Sequence, residues 1–321
     1  MISSTSSASE YRPKNFEEMI GQDAIVKTLS NAIKKDNIPQ ALLFCGPRGV
    51  GKTSCARILA KTINNLEEQF EYNIFELDAA SNNSVEDIRN ITDQIRIPPQ
   101  TGRYKVYIID EVHMLSNQAF NAFLKSLEEP PEHVVFILAT TEKNKILPTI
   151  LSRCQIYDFK KVDSKSITKL LLKICKEKKI KHEGGSLLLI AERSDGSIRD
   201  SLSIFDRLVS FTNSNLTLEE VTSNLNILDF NTYFKLTDLI NGKDIPGILH
   251  LYNDVYNKGF DDLNFLNGLS KHLRELLVYR LNSFDKLSDH KNELSKKYIE
   301  HSKNILDQDL IFLSLIHIWR C

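Results

Sequence analysis

Cys45-Gly46-Pro47-Arg48-Gly49-Val50-Gly51-Lys52-Thr53-Ser54-Cys55 is the stretch on which the fold turns. Gly46, Gly51, Lys52 and Thr53 satisfy the pattern G-x-x-x-x-G-K-[ST]. Glycines there let the backbone curl so that successive N–H groups face a phosphate, with no Cβ in the way. The helix that follows aims its positive end at the same anion. Lys52 is then a point charge for the β- and γ-phosphates, and the Thr53 hydroxyl a ligand for Mg²⁺. Composition alone produces four such fixed positions in about one chain in a hundred of this length, so the surroundings decide. Residues 40–45 (QALLFC) form an apolar run suited to a buried strand, and residues 54–64 (SCARILAKTIN) have helical spacing. Strand, glycine loop and helix follow in the required order, which makes residues 46–54, with Pro47, Arg48, Gly49, Val50 and Ser54 among them, a nucleotide-binding loop.

Residues 105–111 (KVYIIDE) run an apolar strand straight into Asp110 and Glu111. A buried strand that delivers carboxylates at its C-terminal end is where α/β sheets place ligand chemistry. Asp110 is expected to complete a Mg²⁺ shell with Thr53, and Glu111 to orient and polarise an attacking water. His113, with no Cys or acid at ligand spacing on its helix face, is expected to be structural. Phe120, Phe123, Leu124 and Leu127 make a core stripe. Residues 134–138 (VVFIL) form another apolar strand leading to Thr140 and Thr141; on residues alone these are either phosphate or water contacts or strand formers. Arg153 ends a short helix before a strand at 155–159. An earlier strand is expected at 73–77 (NIFEL), a Ser84-x-x-Asp87 capping box opens a helix, and Asp23 caps another that carries Ile25, Leu29 and Ile33. Apolar strands alternating with helices imply an α/β fold with a parallel sheet covered on both faces.

From Asp163 onward no strand is expected. Helices are expected at 164–179, 186–193, 198–210 and 218–225, the last opened by a Thr217-x-x-Glu220 capping box, and everything from about Phe230 is helical in pattern. The basic run 176–181 (KEKKIK) is either a DNA contact or, as expected here, a solvated helix end helped by the dipole. The chain of 321 residues is 41% hydrophobic and 26% charged with a net charge of −1, which is no global attraction for nucleic acid. Its Ser-rich start is not a secretory signal, and no apolar stretch approaches bilayer length, so the expected compartment is the cytoplasm, with no membrane partner. The five cysteines, Cys45, Cys55, Cys154, Cys175 and Cys321, are scattered and expected to be free thiols.

The order of these pieces resembles the AAA+ ATPases, and within them the gamma/tau clamp-loader subunits of bacterial DNA polymerase III. The matching segments are YRPKNFEEMIGQ, FCGPRGVGKTSCARILAKTIN, ELDAASNNSVEDIR, KVYIIDEVHMLSNQAFNAFLKSLEEPP, ILATTEKNKILPTILSRC and GSIRDSLSIFDRL. The resemblance implies that Lys52 and Thr53 serve ATP and Mg²⁺, and that Asp110 and Glu111 serve the metal and the water. It implies that Thr141 is the sensor-1 residue, with Thr140 the less favoured neighbour, and that Arg153 is an arginine finger acting on a neighbouring subunit's nucleotide. Arg199 matches sensor 2 in a helical lid, and Tyr11, Arg12 and Pro13 match the segment bordering the adenine pocket. The implied organisation is a disordered tail (1–10), an ATPase core (11–160), a helical lid (161–226) and a helical collar (227–321) through which a heteropentamer assembles. The implied partners are the other loader subunits, a sliding clamp, the phosphate backbone of primer–template DNA and, where a longer C-terminus exists, the replicative polymerase. The implied activity is an ATPase within a DNA polymerase III holoenzyme, whose overall activity is DNA-directed DNA polymerisation.

Two departures matter. Residues 65–72 (NLEEQFEY) stand where the family carries a four-cysteine module, so no zinc is expected, and from about Leu313 the resemblance stops, which implies a truncated collar. Two alternatives are a Holliday-junction branch-migration helicase, which has a similar start and loop, and a non-hydrolysing scaffold subunit of the same loader. The scaffold would lose the loop lysine or the acid pair; this chain keeps Lys52, Thr53, Asp110 and Glu111.

Overall fold

The computed structural model describes residues 6–64, 73–82, 85–99, 102–212, 214–225, 230–257, 259–280 and 293–303. Ser84 of the expected capping box, residues 65–72 and the apolar C-terminal stretch 310–319 lie outside them. The chain divides into two compact units, residues 1–221 and 222–321.

The first unit is built on five parallel strands: β1 (Ala41–Cys45), β2 (Ile74–Asp78), β3 (Lys105–Asp110), β4 (Val134–Thr140) and β5 (Gln155–Asp158). Their order across the sheet is β2-β3-β4-β1-β5. β1, β4 and most of β3 are buried residue after residue because helices cover both faces. Alternation still assigns each side chain a face. Leu43, Tyr107, Ile109, Phe136 and Leu138 point to α4 (Val85–Ile95) and α5 (Asn117–Glu128), where Ile88, Phe120, Phe123 and Leu127 meet them. Leu42, Phe44, Val106, Ile108 and Ile137 point to α2 (Asp23–Lys34) and α3 (Lys52–Asn64), against Leu29, Ile58 and Leu59. The register sets Cys45 beside Thr140. With Asp110 ending β3, the glycine loop, the acid pair and the threonine pair therefore share the C-terminal edge of the sheet.

Beyond the sheet, after the short helix α6 (Pro148–Leu151), come α7 (Ser164–Lys178), α8 (Ser186–Arg193), α9 (Ile198–Phe211) and α10 (Leu218–Asn224). The Thr217 hydroxyl accepts from the Glu220 N–H at 3.3 Å, one half of the capping box expected there; the Glu220 carboxylate accepts from the Thr217 hydroxyl at 3.0 Å, while the Thr217 N–H goes to the Asn215 carbonyl. Three local expectations need correction. Lys181–His182 and Asn215–Leu216 pair as a two-residue parallel ladder, too short to show alternation in sequence. Asp23 is the first helical residue of α2 and Gln22 the cap, the Gln22 side chain being held at the Lys160 carbonyl, 2.8 Å away. Within the tail expected to be disordered, Ser7–Glu10 forms a helical turn, α1. The Ser7 N–H donates to Asp206 at 2.7 Å and Lys178 reaches Glu10 at 2.7 Å, ties between distant residues that composition does not reveal.

The second unit carries α11 (Phe230–Asn241), α12 (Ile245–Asn257), α13 (Asp262–Arg280) and α14 (Glu293–Ser302). Its core contains Tyr233, Leu236, Val255 and Phe265, and a second cluster of Phe234, Leu273, Leu276, Tyr279 and Tyr298. His272 is buried between them, within 3.1 Å of the Thr237 hydroxyl and 3.0 Å of the Tyr298 hydroxyl. Among the described residues no helix is long and apolar enough to cross a membrane. Four of the thiols, those of Cys45, Cys55, Cys154 and Cys175, are free and buried. Burial pushes Cys55 and Cys154 up to about 12, so both stay protonated and unreactive near neutrality.

Candidate active site

The loop between β1 and α3 is shaped by close approach. Gly46 has φ +147°, and a Cβ there would run into the carbonyl of Phe159. Gly49 has φ +75°, and a Cβ there would collide with the Ser197 hydroxyl at the start of α9. The Gly49 carbonyl accepts from the N–H groups of Ile198 (3.0 Å) and Arg199 (3.4 Å). This carbonyl therefore occupies two of the orphan donors of α9. Lys52 is almost fully buried, and its ammonium folds back onto the carbonyls of Gly46 and Pro47, each at 2.8 Å. Burial lowers its proton affinity, and the neighbouring Glu111 and Asp110 carboxylates pull it back up. Val50 is buried, whereas Pro47 and Arg48 face outward.

Across from the loop, the Thr53 hydroxyl donates to Asp110 Oδ2 at 2.6 Å. The other oxygen of Asp110 accepts from the Glu111 N–H at 3.0 Å. A hydroxyl and a carboxylate so placed are hard oxygen donors of the kind Mg²⁺ takes. Glu111 leaves the strand in a left-handed conformation, φ +47°, unusual for a residue with a side chain and costly by about 1–2 kcal/mol. That turn swings its carboxylate toward β4, where Oε2 accepts from the Thr141 hydroxyl at 2.9 Å and the Thr141 N–H at 3.2 Å. The Thr140 hydroxyl has a different partner, lying 3.0 Å from His113 Nδ1. The structure thus separates two threonines that sequence left as neighbours.

Arg12, half buried, donates from Nε to the Ser54 hydroxyl at 3.1 Å. Burial lowers its proton affinity, as do Arg57 and Arg199 nearby. Arg199 stands in the first turn of α9, its Cβ 3.2 Å from the position a Gly49 Cβ would take. Arg12, Arg199 and Lys52 thus lie around one end of the phosphate loop. Tyr11 lies one residue before Arg12, with the Lys178 ammonium 5.2 Å above its ring, and Pro13 is partly exposed just after it.

Arg153 is elsewhere. It precedes β5 at the N-terminal edge of the sheet, because Gln155 pairs with Leu42 near the start of β1. The five residues of β1 separate the two edges by ~16 Å, so Arg153 does not reach its own chain's loop. Its guanidinium donates to the Thr149 carbonyl at 2.7 Å and to Glu128 at 2.9 Å. Sequence reasoning did not single out Glu128, Glu142 or Ser197, and it set His113 aside; the sign available for His113 was its place two residues after Glu111.

Comparison with known proteins follows the same lines. Residues 21–163 match the family model described as DNA polymerase III, delta subunit, and residues 166–214 match the clamp loader subunit ATPase lid domain. The chain is 36% identical over 302 residues to the DNA polymerase III subunit gamma of Buchnera aphidicola subsp. Baizongia pistaciae, covering 88% of this chain and 81% of that one. The chain belongs to the DNA polymerase III gamma/tau family. It is 40% identical over 287 residues to the tau subunit of Bacillus subtilis (84% of this chain, 51% of that one). It is 41% identical over 278 residues to the gamma/tau subunit of Mycoplasma genitalium (81% and 47%). The chain thus spans about half the length of these two relatives. Among solved structures, the RuvB Holliday junction branch migration motor of Thermotoga maritima superposes with a TM-score of 0.55 at 22% identity, over 72% of this chain and 79% of that one. That likeness is one of fold alone.

Proposed function

We propose that this chain is the ATP-hydrolysing motor subunit of a DNA polymerase III clamp loader. The observation that carries the reading is the joined pair of half-sites at the sheet edge. Thr53 meets Asp110 at 2.6 Å, Glu111 stands beside them, and Lys52 lies in the glycine loop. A scaffold subunit has no use for this complete set.

Loop N–H groups and the Lys52 ammonium would bind the phosphates of ATP, Lys52 exchanging its two carbonyl partners for phosphate oxygens. Thr53 and Asp110 would hold Mg²⁺, which when bound supplies charge neutralisation at the phosphates. Glu111 would accept a proton from the attacking water or orient it. Thr141, whose hydroxyl donates to Glu111, would turn that hydroxyl toward the γ-phosphate or the water. Arg199 in the lid would report the phosphate to α9. Tyr11, Arg12 and Pro13 would border the base and ribose end of the nucleotide.

Arg153 supports an assembly-dependent reading, since it stands at the opposite edge from its own loop and would act on a nucleotide held next door. Arginine supplied in this way is worth about 10³–10⁵ in rate in related phosphoryl transfer. Hydrolysis would then answer to the packing of a heteropentamer with other loader subunits, formed through the helical C-terminal unit. Binding of ATP across that assembly would open a sliding clamp, and contact with the phosphate backbone of primed DNA would trigger hydrolysis and clamp release in the cytoplasm. Polymerisation itself would belong to the polymerase of the holoenzyme. The test is the ATPase rate of the loader assembled with this subunit, with and without clamp and primed DNA. Stimulation by both together is expected; a rate indifferent to them would overturn the reading.

A further inference from the structure

His113 stands on the turn Val112–Met114 immediately after Glu111, and its side chain is nearly buried. Its Nδ1 lies 3.0 Å from the Thr140 hydroxyl oxygen and 3.5 Å from Glu111 Oε2. Its Nε2 lies 3.3 Å from Glu142 Oε1. The Glu142 N–H in turn donates to the Thr140 hydroxyl oxygen at 3.0 Å. With the ring hydrogen on Nε2, the Thr140 O–H donates to Nδ1, the Glu142 N–H donates to Thr140, and the polar Nε2–H edge faces the Glu142 carboxylate electrostatically, so the contacts join the three residues. Lys145, 2.9 Å from the same Glu142 oxygen, fixes that carboxylate from outside. Thr141, the residue enclosed between Thr140 and Glu142, is the one whose N–H and hydroxyl hold Glu111 Oε2.

We infer that His113 is a positioning residue for hydrolysis, tying the exit of β4 to the turn after Glu111 so that Thr141 holds one oxygen of that carboxylate and leaves Oε1 for water. The argument is geometric. Glu111 sits in a left-handed conformation that nothing in its own side chain favours, so its direction must be set by what surrounds it. The contacts described on its carboxylate, from Thr141 and from His113 Nδ1, all fall on Oε2. Thr141 can keep both of its bonds only while the backbone from Thr140 to Glu142 is held still, and the Thr140–His113–Glu142 set of contacts is what holds it. His113 thus acts through Thr141, without touching the nucleotide.

This inference rests on the ATPase reading above, and the experiment separates the two. In the assembled loader with clamp and primed DNA, kcat and KM for ATP are measured for the wild type and for Glu111→Gln, His113→Ala, His113→Asn, His113→Gln, Glu142→Ala and the double variant His113→Ala/Glu142→Ala. Melting temperatures confirm folding. His113→Ala is expected to lower kcat about tenfold, the worth of one positioning hydrogen bond in a barrier, with KM within about twofold. His113→Asn keeps an acceptor for Thr140 and His113→Gln a donor for Glu142, so each is expected to recover part of the loss. The double variant should be no slower than His113→Ala, because the residues act as one unit. If the wild type is active and Glu111→Gln is not, yet His113→Ala keeps wild-type kcat, or the Ala losses multiply, or KM rises as kcat falls, the inference is overturned while the ATPase reading stands. A His113→Ala variant that fails to fold leaves the decision to Asn and Gln: both at wild-type kcat, or both as inactive as Glu111→Gln, count against it. A wild type no faster than Glu111→Gln overturns both.

Discussion

Placing a methyl group at Gly49 tests how the lid and the phosphate loop are joined. At φ +75° an alanine pays about 1–2 kcal/mol for the left-handed conformation. Its Cβ also meets the Ser197 hydroxyl, so α9 must lift or the loop must shift. Either movement strains the bonds from the Ile198 and Arg199 N–H groups to the Gly49 carbonyl, each worth about 1 kcal/mol. The total, about 2–4 kcal/mol, falls on the loop conformation proposed to bind phosphates, so Gly49→Ala should weaken ATP binding by roughly 30- to 700-fold. Ser197→Ala removes the colliding oxygen and, with it, the cap on the Asp200 N–H at 3.2 Å, for a loss of about 1 kcal/mol on its own. In the Gly49→Ala background the same change should restore binding, by a coupling of about 1–2 kcal/mol. Calorimetric titration of ATP into the four proteins of this cycle supplies the numbers. Additivity within about 0.5 kcal/mol would refute the contact as the cause and locate the effect in the loop alone.

Three further outcomes follow from the same geometry. Glu111→Gln should bind ATP within about twofold of the wild type and lose about 10²–10⁴ in turnover, measured by filter binding and phosphate release. Thr53→Val should weaken ATP binding in Mg²⁺ about tenfold and leave binding in EDTA unchanged, since only the hydroxyl facing Asp110 is lost. In the C-terminal unit, burial pushes His272 down to about 4, with the charge of His301 adding to it. The unfolded chain, with His near 6.5, binds more protons between these values, so stability is full above about pH 6.5 and falls toward pH 4 by about 3 kcal/mol. Urea unfolding of the wild type and His272→Gln across that range should show the slope in the first and its loss in the second.

The legible and illegible parts of this molecule differ in physical kind. Strands β1, β3 and β4 could be read because both faces are covered, which leaves unbroken apolar runs, and α5 because its stripe repeats at helical spacing. The grouping of the loop lysine, Thr53 and the acid pair at one sheet edge could be expected because the pattern puts one residue type at each fixed offset next to a strand end. What pairing across the fold decides was hidden. Nothing in Thr140-Thr141 says which hydroxyl turns to Glu111 until the strand exit is built, and the Glu142–His113 bridge spans residues from different turns. The seating of Ser7 on Asp206 joins residues 199 positions apart, and no local composition announces it. Arg153 could be matched by resemblance, but its place at the sheet edge opposite the loop comes from the register of β5 on β1.

That opposite placement carries the central claim, that the site is one half of a subunit interface, and mixing two defective forms of the full-length protein in the assembled loader tests it directly. Lys52→Ala subunits keep Arg153 and lose their own phosphate site; Arg153→Ala subunits keep the site and lose the arginine. Each alone should be nearly inactive as an ATPase, and the mixture should regain a substantial part of the clamp- and DNA-stimulated rate as intact sites meet intact arginines. A mixture no faster than the average of its components, or an Arg153→Ala loader with wild-type turnover, would contradict the account.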